Sequence, residues 1–326
     1  MVIVNIGEGT SLFFSSGHNK QKKQMASSFP YLIFGLFVAC LVIVVAMAKR
    51  KPQQHTMGLP AKAFVTLLRL APSGIQNKMW KWLYQNMANY DDDSEFRFMN
   101  YGFEDGKGPE LEAEDEPNRM FIQLYSMNIR GVDLEGKQVL EVGSGRGGGA
   151  SWIAKTHKPA KLIGVDFSAK AVEHCQRWYT NQTNLEFIQG DAQDLPFDDA
   201  SFDVVYNVES SHCYGDMGAF VEQAFRVLKP GGMFCWTDLR DTKTMETLPA
   251  LFESKGFEIV ASADVTQEVI RALDEINETK MKIIEEKVPN FVRRSFETFA
   301  GVKGTPAYEG FVSGWMAYHR HVMRKP

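Results

Sequence analysis

Downstream of residue 137 the chain alternates short apolar runs with longer amphipathic ones, and the period of each run names its element. Residues 138–142, Gln-Val-Leu-Glu-Val, are too short and apolar for a helix and read as a strand. They are followed by the glycine-rich stretch 143–149 and a helical stretch that begins at 150. Residues 161–165 repeat the strand pattern, end in Asp166 and lead into a helix over 168–177. A third strand, 185–188, ends at Gly190-Asp191-Ala192, and a fourth covers 202–208. A helix over 220–228 runs into Lys229-Pro-Gly-Gly232 and a fifth strand over 233–237. Beyond it, 251–260 reads as helix, turn and strand, 266–287 as one long helix, and 314–322 as a last strand. Short apolar strands alternating with helices predict an α/β fold with a parallel, doubly wound sheet and right-handed crossovers.

Upstream the pattern changes in kind. Residues 29–48 are almost wholly apolar, and no charge occurs between Lys23 and Lys49. At about 1.5 Å per residue, a helix of this length crosses a hydrocarbon core of about 30 Å. A buried core helix would seldom be apolar on every side. Ala46-Met47-Ala48 has the small-x-small form of a signal cleavage site, so a cleaved signal is the rival to an uncleaved transmembrane anchor. The apolar run is longer than the usual signal core, which favours the anchor. Basic residues flank it on both sides, leaving its orientation open. Residues 64–70 and 78–87 read as amphipathic helices, suited either to a membrane interface or to packing on the domain that follows. An acidic stretch from Asp91 to Glu116 is interrupted by the aromatic-rich 96–103, which is unusual for plain linker. The chain thus divides into a tail (1–28), an anchor (29–48), a linker with helical and lid segments (49–130), a nucleotide-binding core (131–240) and a substrate-side region with the last strands (241–326).

Composition narrows the partners. A net charge of −4 and a pI near 6.0 argue against a nucleic-acid partner. The seven histidines form no zinc-like cluster with the four cysteines, and no metal site is expected. Cys40, Cys175, Cys213 and Cys235 form no CxxC pair, which fits a reducing compartment and buried apolar roles.

In a parallel sheet of this kind the ligand lies beyond the carboxyl ends of the strands. Gly143, Gly145 and Gly148 satisfy the GxGxxG spacing of a dinucleotide site, so the loop alone does not choose a cofactor. Its neighbours favour S-adenosylmethionine (SAM) over NAD. Glu141, two residues before the first glycine, is placed to receive a cationic ligand amine, for which a pyrophosphate has no use. Asp166 suits ribose hydroxyls with either cofactor, and Asp191-Ala192 stands where an adenine amino group would be read. Glu141-Val-Gly-Ser-Gly-Arg-Gly147, Asp166, Gly190-Asp-Ala192, Asp203-Val-Val205 and Arg226-Val-Leu-Lys-Pro-Gly-Gly232 resemble the ordered motifs of class I SAM-dependent methyltransferases. Asp115-Glu-Pro-Asn-Arg119, Gly147-Gly-Gly-Ala-Ser151, Asn207-Val-Glu-Ser-Ser-His-Cys-Tyr214 and Thr237-Asp-Leu-Arg240 resemble, more closely, the phthiotriolone/phenolphthiotriolone dimycocerosate methyltransferases of mycobacteria. The resemblance spans residues 80–326; the apolar segment departs from it. It implies a Rossmann-like, seven-stranded sheet with helical cap segments. It also implies that Glu141, Gly143, Gly145, Gly147, Asp166, Phe167, Asp191, Ala192 and Asn207 line the SAM pocket, with Tyr101 and Tyr125 helping to cover it. For each tyrosine an ordinary place in the core is the alternative.

Methyl transfer is an in-line displacement, so most of its catalysis comes from positioning. An alcohol or phenol acceptor must also lose a proton, and His212, just past the fourth strand, is the candidate base. Asp238, after the fifth strand, is the candidate partner that orients it. Glu209 is a second acid or a loop hydrogen-bonding group. His157, His174, His319 and His321 read as structural. The function expected is methylation of a hydroxyl on a small amphipathic or lipid-like acceptor by a single-pass membrane protein with a cytosolic catalytic domain. The alternatives are N- or C-methylation, a non-catalytic SAM-binding protein and a NAD-linked oxidoreductase.

Overall fold

The structure, a computed structural model, describes residues 97–288 and 290–326. The apolar run 29–48 and the stretches 64–70 and 78–87 lie outside these residues. Among the described residues no helix is long and apolar enough to cross a membrane.

Seven strands form one sheet: β1 (Gln138–Val142), β2 (Lys161–Asp166), β3 (Leu185–Gln189), β4 (Phe202–Val208), β5 (Leu228–Asp241), β6 (Glu258–Asp264) and β7 (Met316–Arg324). Their order is β3-β2-β1-β4-β5-β7-β6. β1 to β5 run parallel, while β7 is antiparallel to both β5 and β6. The helices are α1 (Arg119–Asn128), α2 (Gly148–Thr156), α3 (Ala169–Trp178), α4 (Met217–Val227), α5 (Thr242–Ser254), α6 (Thr266–Glu275), α7 (Asn277–Lys287), α8 (Asn290–Phe299) and α9 (Pro306–Val312).

Alternation along each central strand builds two cores. Val139, Val204, Tyr206 and Cys235 point to one face, where α1, α2, α3, α6 and α9 pack. Leu140, Val205, Phe234 and Trp236 point to the other, covered by α4 and α5. Each fully buried large side chain contributes about 1.5–3 kcal/mol, so both faces anchor the sheet. Helix starts are set locally: Ser168, Asp216 and Asp241 cap α3, α4 and α5 by accepting from Ala171, Ala219 and Thr244 N–H groups. α2 has no side-chain cap, and its first N–H, that of Gly148, is met instead by Arg97 O at 3.1 Å.

Three sequence readings are corrected. The single helix expected over 266–287 is two, because the chain turns at Ile276 and the Asn277 side chain takes the Lys303 N–H at 2.9 Å. The fifth strand runs far past 237, since β7 pairs with it from Met233 to Asp241; Asp238 therefore lies inside the strand rather than after it. Helices α1, α8 and α9 went unread, although α1 places Ile122 and Leu124 fully in the core.

Candidate functional site

The glycine loop leaves β1 and folds back across β2: Gly143 and Ser144 N–H groups both bond Val165 O, at 2.8 and 3.0 Å. The Asp166 carboxylate then holds Gly145 N–H and Ser168 N–H, each at 2.8 Å, tying the loop to the start of α3. Burial nonetheless pushes the Asp166 carboxyl up against these bonds. A Cβ on Gly145 would meet nothing within 4 Å, and its φ of +54° is left-handed; this is the open side of the loop. Gly143 differs, because a Cβ there would stand 2.2 Å from Ser210 Oγ. Gly147, the residue before α2, packs against Phe187 and Tyr179.

Glu141 is fully buried beneath the loop, with its two oxygens accepting from Tyr125 and Tyr206 hydroxyls at 3.1 and 3.0 Å. Burial pushes its carboxyl up to about 8 despite those two bonds. Tyr125 is buried as well, with its ring against Gly149 at the start of α2. Asn207, also buried, donates to Val142 O at 2.8 Å and to Ser210 Oγ at 2.7 Å, while its own Oδ1 has no partner. Ser144 Oγ is likewise buried and unsatisfied. Two orphaned acceptors beside an open glycine fit a polar ligand in this cleft. Phe167 presents a half-exposed ring, and Asp191 accepts from Gln193 N–H at 2.9 Å beside the buried Ala192. Glu141, the loop glycines, Asp166, Phe167, Asp191, Ala192 and Asn207 thus gather at the carboxyl ends of β1 to β4.

At the same edge, His212 sits in a short 3-10 turn (Ser211–Cys213) with Nδ1 2.8 Å from Asp238 Oδ1. Asp238 is fully buried and accepts further bonds from Ser211 Oγ (2.6 Å), His212 N (2.9 Å) and Leu239 N (2.8 Å), with Arg240 Nη1 at 3.2 Å. Burial alone would raise this carboxyl, but His212 and Arg240 hold it far below the usual carboxylate range. The same pair acts in reverse on His212: burial would lower its pKa, and the Asp238 charge carries it well above 6.5. An N–H on Nδ1 given to Asp238 leaves Nε2 as the basic nitrogen.

Glu209 links this dyad to the chain ahead of the core. Its Oε2 accepts from Tyr101 N–H and Tyr318 O–H, both at 2.8 Å, and its φ of +45° is strained for a residue with a side chain. Burial raises its carboxyl to about 7. Residues 97–104 form a strap over the edge: Arg97 O accepts from Gly148 N, Tyr101 N meets Glu209, and Glu104 N bonds Glu268 O. The half-buried Tyr101 ring packs edge-on to Phe311. Sequence reasoning missed Tyr206, which meets Glu141 only because β1 and β4 pair them, and Tyr318, which β7 brings beside Leu239. Arg240 and Ser211 stood inside quoted motifs, without a role until Asp238 was seen between them.

The chain is similar to several known proteins. A family described as a methyltransferase domain matches residues 140–236. A probable phthiotriol/phenolphthiotriol dimycocerosates methyltransferase of Mycobacterium ulcerans is 36% identical over 239 residues, spanning 73% of this chain and 92% of its own. A fatty-acid O-methyltransferase of Mycolicibacterium smegmatis is 35% identical over 248 residues, or 76% of this chain and 89% of that protein. Among solved structures, geranyl diphosphate C-methyltransferase of Streptomyces coelicolor, in complex with Mg2+, geranyl diphosphate and S-adenosyl-L-homocysteine, shares the fold at a TM-score of 0.54. It is 16% identical and covers 74% of this chain and 98% of its own.

Proposed function

This chain belongs to the phthiotriol/phenolphthiotriol dimycocerosates methyltransferase family of SAM-dependent enzymes, and we propose that it methylates a hydroxyl oxygen on a small amphipathic or lipid-like acceptor. The observation that carries this reading is the His212–Asp238 pair, 2.8 Å apart, at the edge of the sheet that also bears the glycine loop. SAM, when bound, supplies an electrophilic methyl group on a sulfonium. Gly145, Asp166, Asp191 and Asn207 would hold it, Phe167 would offer a ring face to its base, and Glu141 would balance its positive charge from below. His212 Nε2 would take the acceptor's proton, and the buried Asp238 would fix the ring and stabilise the imidazolium. Ser211 and Arg240 keep Asp238 ionised and still, so the base keeps one orientation. Family membership sets aside the nicotinamide reading of the loop.

Further parts of the proposal rest on sequence. Residues 29–48 would anchor the enzyme in a membrane as a single pass, with the catalytic domain on the cytosolic side, where SAM is made. An anchored enzyme meets lipid-like acceptors at the surface they partition into, which suits the acceptor class. The test is incorporation of label from methyl-labelled SAM into lipid extracts and simple long-chain alcohols, by the wild type and by Asp166→Ala. Label on an alcohol or phenol oxygen, lost in the variant, is the expected outcome. Transfer only to nitrogen or carbon would overturn the hydroxyl assignment.

A further inference from the structure

Lys280, on α7, is a cation placed where a cation is costly. Its Nζ donates to Ala300 O at 2.9 Å and lies 5.7 Å from the ring centres of both Tyr101 and Phe121. Among the described residues no carboxylate comes within ion-pair distance of it. Lys155, Lys161, Lys229, Lys255 and Lys303 each meet one. Burial pushes the Lys280 ammonium down to about 8, and Glu209 is the charge that opposes this from further off. A part-buried ammonium held by one carbonyl and two ring faces, without a direct counterion, is a candidate for completion by an anionic ligand.

Position says which ligand. Tyr101 carries the ammonium over its ring and Glu209 on its backbone N–H, and Glu209 stands three residues before His212. Tyr101 itself feels the charges of Glu209 and Asp238. Tyr101 and Glu209 therefore connect the lysine to the acid–base pair that the proposed function uses. We propose that Lys280 is a specificity-determining residue that receives a carboxylate carried by the methyl acceptor, while His212 attends the acceptor's hydroxyl. A carboxylate suits the site better than a phosphate dianion: one ammonium balances one negative charge, and Glu209 nearby repels a second. The two rings that flank the ammonium offer an apolar surface to the acceptor's hydrocarbon. This inference rests on the methyltransferase reading and deepens it by naming an anionic amphiphile as the acceptor class.

The test compares octanoate with octan-1-ol, two probes differing only in the head group, by ligand-observed NMR on the full chain saturated with S-adenosylhomocysteine near neutral pH. Octanoate should bind about tenfold or more tightly than octan-1-ol. Lys280→Met should abolish that preference while leaving the affinities for octan-1-ol and S-adenosylhomocysteine unchanged, and Lys280→Arg should retain part of it. Equal affinities in the wild type, or a Met variant that keeps the preference or loses both probes alike, overturn the proposal. Should the Met variant fail to bind S-adenosylhomocysteine, the Arg variant decides: a retained preference supports the role, and an absent one overturns it. A wild type that binds no S-adenosylhomocysteine would overturn the methyltransferase reading, and this inference with it.

Discussion

Removal of His212 separates a base from a bystander. Positioned proton transfer contributes about 10²–10⁴ in rate, or about 2.7–5.4 kcal/mol of barrier. His212→Ala should therefore lower kcat for an alcohol acceptor by that factor and leave SAM affinity within about twofold, since no loop contact depends on the ring. The fold should survive. Asp238 loses one bond of about 1.5–3 kcal/mol but keeps Ser211 Oγ, two backbone N–H groups and Arg240. The pH profile carries a second signature. A base works only when neutral, and Asp238 raises the His212 pKa, so kcat/KM should climb with pH through a midpoint above 6.5. Asp238→Asn should move that midpoint down. For stability the sign is opposite. The charged pair contributes fully below the unfolded histidine's pKa near 6.5, and its contribution fades as pH rises through the higher folded value. Labelled-methyl transfer from about pH 6 to about pH 9 measures the rates, and thermal melts over the same range measure stability. If His212→Ala turns over within about threefold of wild type throughout, the general-base assignment is wrong and an acceptor needing no deprotonation takes its place.

Three further outcomes are expected. Glu141 holds its proton up to about pH 8 when folded but only to the ordinary carboxyl value of 4.5 when unfolded, so stability should fall as pH rises between those values. Glu141→Gln should flatten that fall by on the order of 5 °C in Tm and weaken SAM binding; identical melting slopes in both proteins would refute this. Asp166→Ala removes two charge-assisted bonds to the loop, each about 1.5–3 kcal/mol, and calorimetry should find SAM affinity lowered at least about tenfold. Gly149→Ala places a Cβ 2.0 Å from the Tyr125 ring, an overpacking worth about 1–3 kcal/mol in denaturant melts. Tyr125→Ala in the same chain should give part of it back, and additive losses would show the contact to be irrelevant.

Legibility tracked how local each signal was. The edges of β1 to β4 and the loop between β1 and α2 were readable because short apolar runs and glycines act through their immediate neighbours. His212 and Asp238 were chosen from separate strand ends, and the sheet brings them together because β4 and β5 are adjacent. The extension of β5 was invisible, since it depends on β7, some eighty residues away in sequence. Lys280 was hidden for another reason: in a stretch that reads as one long helix, a lysine ordinarily marks the solvated face. Only the packing of Tyr101, Phe121 and Ala300 around it reverses that reading.

Two carboxylates of equal burial have opposite fates in this site, and the difference lies in their donors. Glu141 is met by two neutral phenols, which do not offset the loss of water, so its proton is held to about 8. Asp238 is met by an imidazole, a guanidinium, a hydroxyl and two backbone N–H groups, and it stays ionised far below the ordinary range. A carboxyl of the first kind lacks a cation, and a cationic ligand is what would lower its pKa. A carboxyl of the second kind already has its cations and can only orient them. On the proposed reading the first faces the sulfonium cofactor and the second directs the base. SAM binding should then release protons near pH 7, from Glu141, in an amount that Glu141→Gln removes and Asp238→Asn does not. Calorimetry in buffers of different ionisation enthalpy measures that release, and its persistence in Glu141→Gln would break the link between burial at Glu141 and charge on the cofactor.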